Sequence, residues 1–289
     1  MRLVSFQTEL GHRIGAVSGI NVFDLNTLIP SLPHTLREVF AANHLDEIRQ
    51  VIENNPTADL LPLAGLQLLP PIGDAEKIIC IGRNYAAHAK EGGAEPPSYP
   101  EIFMRTNRSL IADGSPIIQP ICSDKLDFEG ELVVVVGKTA RHVTEEDALD
   151  YVGGYSLFND ATLRDYQRKS TQWTIGKNFD NTGCFGPAIV TPDELPKGAQ
   201  GLSIQTRLNG KIMQDANTSD LIFPIATLIS MLSECLTLIP GDVIVTGTPA
   251  GVGYARTPPV WMRAGDVCEI SIEGIGTLSN SVENEMRAS

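Results

Sequence analysis

Apolar and polar residues alternate over Arg2–Phe6 and again over Arg13–Val17, the period-two pattern of half-buried strands. Ser18-Gly19-Ile20-Asn21 supplies a turn and Val22–Leu25 returns, so the chain opens as a small antiparallel sheet. From Thr35 to Glu53 the period changes. Leu36, Val39, Phe40, Leu45, Ile48, Val51 and Ile52 recur at three- and four-residue steps, which predicts one amphipathic helix closed by Asn54-Asn55-Pro56. A stretch rich in Pro and Leu, from Leu60 to Pro71, then places a domain boundary near Ile72. Residues 1–72 read as a small N-terminal α+β domain and residues 73–289 as the larger one.

Past that boundary the apolar runs become continuous. Ile78-Ile79-Cys80-Ile81 and Glu131–Val136 read as strands buried on both faces, and Asn84 to Glu91 as a short helix stopped by Gly92-Gly93. Thr144-Glu145-Glu146-Asp147 has the spacing of a capping arrangement and predicts a helix ending at Gly153-Gly154. Pro224 suits the first turn of an apolar helix reaching about Leu236. Val243–Thr246 reads as a strand, and Val267–Ile272 with Thr277–Val282 as a hairpin. Strands outnumber helices with no regular βαβ alternation, so the fold class is α+β and β-rich.

Composition narrows the partners. Lys and Arg total 22 against 35 Asp and Glu, a formal charge of −13. That balance argues against phosphate-tracking nucleic-acid binding and against an electrostatic hold on anionic membrane. Five dispersed cysteines without a CxxC pair read as buried reduced thiols. Lack of a long apolar run or signal-peptide core makes a soluble cytoplasmic protein the expectation.

Asp127-Phe128-Glu129-Gly130-Glu131 carries the most chemistry. In a strand, Glu129 and Glu131 share one face across a bare glycine, at the mouth of a very apolar run. Two neighbouring carboxylates repel, burial raises that cost, and a hard divalent cation relieves it. Two solvated glutamates at a strand entrance satisfy the same spacing. Asp160 ends another short apolar strand and offers a third carboxylate, although a helix cap is the commoner use of such a residue. His88 and Glu91 stand at i and i+3, so the carboxylate could orient the imidazole as a general base; an exposed surface pair fits as well. Lys177 sits on a local apolar run and points either into a pocket or out to solvent. Val245-Thr246-Gly247-Thr248-Pro249-Ala250-Gly251-Val252-Gly253 is a strand entering a glycine-rich loop. That loop could offer backbone N–H groups and the Thr248 hydroxyl to an anionic substrate, or be a structural turn.

Taken in order, Gly82-Arg83-Asn84-Tyr85 with His88 and Glu91, Phe128 to Leu132, Asn159-Asp160, Trp173 to Lys177, and Val245 to Val252 resemble the fumarylacetoacetate hydrolase family over residues 73–289. The resemblance implies a mixed β-sandwich roll, a homodimer, and a Mg²⁺, Mn²⁺ or Ca²⁺ ion held by Glu129, Glu131 and Asp160. It implies Lys177 as the active-site lysine and His88–Glu91 as a dyad on a mobile lid. Arg83, Tyr85, Arg164, Gln167 and Thr248 would contact substrate. The expected activity is hydrolysis of a carbon–carbon bond in a 1,3-dicarbonyl acid such as an acylpyruvate, a small-molecule oxo-acid. Alternatives are a β-keto acid decarboxylase of the oxaloacetate type, a 2-oxo acid tautomerase or isomerase, and a non-catalytic oxo-acid or metal-binding protein.

Overall fold

The computed structural model describes residues 1–56, 58 and 60–287. Its spine is a mixed sheet with ten strands along its main path. From one edge these are Leu60–Pro62, Asn21–Asp24, Gly11–Ser18, Arg2–Thr8, Gly183–Val190, Val152–Asp160, Gly130–Val136, Val243–Val245, Ile78–Gly82 and Glu101–Arg105. A second sheet of five strands, led by the hairpin Val267–Ile272 and Gly276–Asn284, packs across it. The fold is therefore strand-rich α+β built from two facing sheets.

The strand Gly130–Val136 shows why its sequence is a continuous apolar run. Leu132, Val134 and Val136 point into one core, shared with Ile204, Ile270 and Leu278 of the second sheet and with Leu228 and Leu232 of the helix Ile225–Cys235. Val133 and Val135 point into the other, shared with Leu36, Val39, Phe40 and Ile48 from the N-terminal helices. Both faces are dry, so both parities must be apolar.

The N-terminal helices thus cover the rear of the sheet, and the N-terminal strands extend it. Leu3 pairs with Ile189 in antiparallel register. Hydrogen bonding runs without interruption through the division expected near Ile72.

The expected strands and the helix after Pro224 form at or near their predicted bounds. Two helices do not. The stretch from Thr35 to Glu53 makes two helices, Leu36–Ala41 and Leu45–Asn54, because Asn43 takes a left-handed conformation (φ 57°) that breaks the ladder while both pieces keep their apolar faces inward. The segment after Thr144 makes only a 3₁₀ turn, Ala148–Tyr151, and Gly153 and Gly154 lie inside the strand Val152–Asp160. These glycines mark close approach. A Cβ on Gly154 would lie 2.3 Å from the Ile189 side chain, and one on Gly153 2.9 Å from Phe40. Of the five free thiols, Cys80, Cys184 and Cys268 are buried as expected, whereas Cys122 and Cys235 are exposed.

Candidate active site

Strand ends and three short helices converge on a cavity of about 370 Å³. Glu129 and Glu131 flank the start of Gly130–Val136, and Asp160 closes its neighbour Val152–Asp160, where Gly130 pairs with Asn159. Gly130 has no side chain because the second sheet leaves no room. A Cβ there would fall 2.2 Å from Thr206 Oγ1. This contact seats the strand mouth between the two sheets and leaves both glutamates facing the cavity. Ligand atoms of Glu129, Glu131 and Asp160 lie within 4.8 Å of one another, and all three residues are buried.

Buried cations balance most of that charge. Lys177, at the end of the helix Thr174–Lys177, donates to Glu129 Oε2 at 2.7 Å and to Asp160 Oδ2 at 2.6 Å. Burial alone would lower the Lys177 pKa, but Asp160 and Glu129 more than reverse that, so it stays protonated. Arg164 donates through Nε to Asp127 Oδ2 at 2.8 Å, and its Nη2 lies 2.6 Å from Glu129 Oε1. Arg105 pairs with Asp160 Oδ1 and donates to Thr182 Oγ1 at 2.8 Å. Burial would raise Glu129, yet Lys177 and Arg164 hold its carboxyl down to about 2.

Glu131 is left with the least compensation. Its Oε2 accepts the Gly247 N–H at 2.5 Å, and burial together with Asp160 and Glu129 pushes its carboxyl well above the usual range. Counted with Asp127, four buried carboxylates face three buried cations. The surplus is negative, the donors are all carboxylate oxygens, and they converge. That donor set fits a hard divalent cation.

His88 enters the cavity from the helix Ala86–Glu91. Its Nδ1–H donates to Glu91 Oε1 at 2.8 Å, and Glu91 Oε2 accepts the Gly251 N–H at 2.8 Å. With Nδ1 so engaged, Nε2 is the free base position. The helix is docked, not displaced as an open lid would be. Gly92, just past its end, lies so near Tyr254 that a Cβ would come within 2.7 Å of the phenol oxygen.

Most of the expected residues meet here, with revisions. Arg83, Arg164, Gln167 and Thr248 all line the cavity. Arg83 is nonetheless neutralised by Glu101 at 3.0 Å and stacked over Trp173, and Gln167 accepts from Arg164 Nη1 at 3.0 Å. Tyr85 does not line it. Its backbone bridges to Leu221 and starts the His88 helix, so the ring is buried in packing. Thr248 reaches the cavity with its hydroxyl proton already committed to Gly130 O at 3.0 Å, while Gln214 Nε2 donates to it at 2.8 Å. Nor do the loop amides wait for a substrate anion. Gly247, Gly251 and Gly253 donate to Glu131, Glu91 and Asp127, so the glycine-rich loop organises the protein's own carboxylates.

Arg105, Asp127, Arg168 and Tyr254 were not singled out from sequence. Asp127 had a usable signal, since it shares the period-two parity of Glu129 and Glu131. Arg105 shares the parity of buried Phe103 in Glu101–Arg105.

The chain matches the fumarylacetoacetate (FAA) hydrolase C-terminal family over residues 77–283. It is 40% identical over 290 residues to a protein of Xenopus laevis named oxaloacetate tautomerase, mitochondrial, covering 98% of this chain and 90% of that one. Among solved structures it is similar to maleylpyruvate hydrolase of Sphingobium in complex with manganese(II) ion and pyruvate (TM-score 0.83, 30% identity, 99% of this chain and 100% of that one). It is also similar to 5-carboxymethyl-2-hydroxymuconate delta-isomerase of Mycobacterium smegmatis (TM-score 0.78, 34% identity, with the same coverage). These full-length matches agree with the ordered motifs and the buried acidic cluster, and the chain belongs to the fumarylacetoacetate hydrolase family.

Proposed function

We propose that this protein is a divalent-cation-dependent enzyme acting on 2-oxo acids whose C3 hydrogens lie between two carbonyl groups, interconverting their enol and keto forms, with oxaloacetate the first substrate to test. His88 carries the reading. It is a base inside the cavity, fixed by Glu91 and Gly251, facing three buried carboxylates suited to a cation. The name of the Xenopus relative supports the choice of reaction.

Glu129, Glu131 and Asp160 would hold the ion. A divalent cation bound there would supply positive charge against the negative charge that develops as the C3 proton leaves. His88 Nε2 takes that proton. The C–H electron pair becomes the C2=C3 bond, and the carbonyl pair moves to the 2-oxo oxygen, which takes up the proton that the imidazolium returns. Glu91 stabilises the imidazolium through Nδ1–H, and the Gly251 amide keeps Glu91 from swinging away. Lys177 keeps Glu129 ionised for the cation and holds the Asp160 carboxylate in place through its second hydrogen bond.

Hydrolysis of an acylpyruvate, the activity expected from the motifs, stands second. The same oriented base would take a proton from water, and the hydrolase of Sphingobium with bound manganese and pyruvate favours it. The choice of cation is part of the proposal, with Mn²⁺ first on that likeness and Mg²⁺ or Ca²⁺ as alternatives. A homodimer is proposed too, to be read by light scattering against the 31.2 kDa chain. So is a cytoplasmic location, to be checked by fractionation because the Xenopus relative is named mitochondrial.

The test follows enol oxaloacetate by ultraviolet absorbance. Mn²⁺-loaded protein should accelerate its decay, and exhaustive chelation should remove that acceleration. His88→Ala should slow it about 10²–10⁴-fold while calorimetry shows Mn²⁺ binding intact. An unchanged rate in His88→Ala sinks the reading. Release of acetate from acetylpyruvate, with no effect on the enol, would put hydrolysis first.

A further inference from the structure

The basic side chains that line the cavity are not equivalent. His88 is tied to Glu91, Arg83 to Glu101, Lys177 to Glu129 and Asp160, and Arg164 to Asp127 and Glu129. Arg168 lines the same cavity and, among the described residues, has no carboxylate partner. It is exposed at the mouth, at the end of the helix Arg164–Gln167.

Two contacts hold it there. Its guanidinium carbon lies 4.6 Å from the Tyr254 ring centroid, and the Tyr254 and Gly253 amides are pinned by Asp127 at 3.0 and 2.7 Å. The helix it ends is seated on Gly176, where a Cβ would fall 2.4 Å from the Gln167 nitrogen, so nothing larger than glycine lets the two helices meet. A stacked guanidinium loses less freedom when it takes up an anion than a free one does.

Charge bookkeeping gives that arginine a task. One divalent cation turns the buried surplus from negative to positive by a single charge, which one substrate carboxylate satisfies. A second carboxylate needs a second, uncommitted cation. We propose that Arg168 binds the distal carboxylate of a 2-oxo dicarboxylate and thereby selects diacids over acids with a neutral tail. This specificity role rests on the reading of the cavity as a cation-dependent 2-oxo acid site, and it is separable from the reaction performed there.

Malate and lactate test it without turnover. Both present a 2-hydroxy acid to the cation, and only malate carries a second carboxylate. Calorimetry on Mn²⁺-loaded wild-type protein should show malate bound more tightly than lactate. Arg168→Met, which keeps an apolar contact with Tyr254, should weaken malate about tenfold and leave lactate within about twofold. Arg168→Lys should recover part of the loss. The KM for oxaloacetate should rise in step with the malate effect, with kcat little altered. Equal weakening of both ligands, or of neither, overturns the proposal, as does a wild-type protein that does not prefer malate. Failure to accelerate enol decay with the malate preference intact would instead remove the reaction and leave Arg168 in place.

Discussion

Glu131 carries the tension in the acidic cluster. Glu129 faces both Lys177 and Arg164, and Asp160 faces Arg105 and Lys177, whereas Glu131 has one amide and two carboxylate neighbours. Its raised carboxyl has a definite linkage sign. A group whose folded pKa lies above its unfolded one contributes stability below the unfolded value and loses it as pH rises through the folded one. In the presence of chelator, Glu131→Gln should therefore be at least as stable as the wild type at neutral pH, with its advantage growing as pH rises. Mn²⁺ should raise the melting temperature of the wild type and not that of Glu131→Gln. Thermal melts at several pH values, with and without the ion, check both halves. A variant that melts earlier in chelator would show that Glu131 stabilises the ion-free fold, against the geometry.

At the scale of elements, the glycine-rich loop and the helix Ala86–Glu91 form one device. The loop amide of Gly251 grips the carboxylate that orients His88, and Gly247 grips Glu131, so base and acidic cluster share one backbone anchor. Glu91→Gln keeps a side-chain oxygen for one of its two donors and removes the charge that stabilises the imidazolium. It should lower kcat about tenfold or more, less than His88→Ala, move the pH–rate profile, and leave Mn²⁺ affinity intact by calorimetry.

Which parts of this device were legible follows from the range of each interaction. His88 and Glu91 are one helical turn apart, and Glu129 and Glu131 one strand repeat apart, so local periodicity carries both pairs. The uninterrupted apolar runs at Ile78 and Leu132 foretell strands buried on both faces for the same reason. Arg105 meets Asp160 across 55 residues and Arg164 meets Asp127 across 37, and no local period links such partners. The break at Asn43 and the close contacts of Gly153 and Gly154 likewise depend on what packs against them. Thr248 looked like a donor to substrate because Gly130 and Gln214, which occupy its hydroxyl, lie far along the chain.

Across the whole molecule, the N-terminal helices that cover the rear of the main sheet and the strands that bear the acidic cluster share one apolar core. Phe40 sits on that seam. It comes from the helix Leu36–Ala41 and packs on Gly153 in Val152–Asp160, the strand that ends in Asp160. A phenylalanine truncated to alanine in such a core costs about 3–5 kcal/mol, through lost transfer energy and the cavity left behind. Two independent domains would confine that loss to the N-terminal part, and urea would then reveal two transitions with cation binding surviving the first. A shared sheet joined at Leu3 and Ile189 predicts the opposite. Phe40→Ala should shift a single transition, seen alike by far-ultraviolet circular dichroism and by loss of bound Mn²⁺. Residual cation binding after the circular dichroism change has begun would show that the cover unfolds without the site.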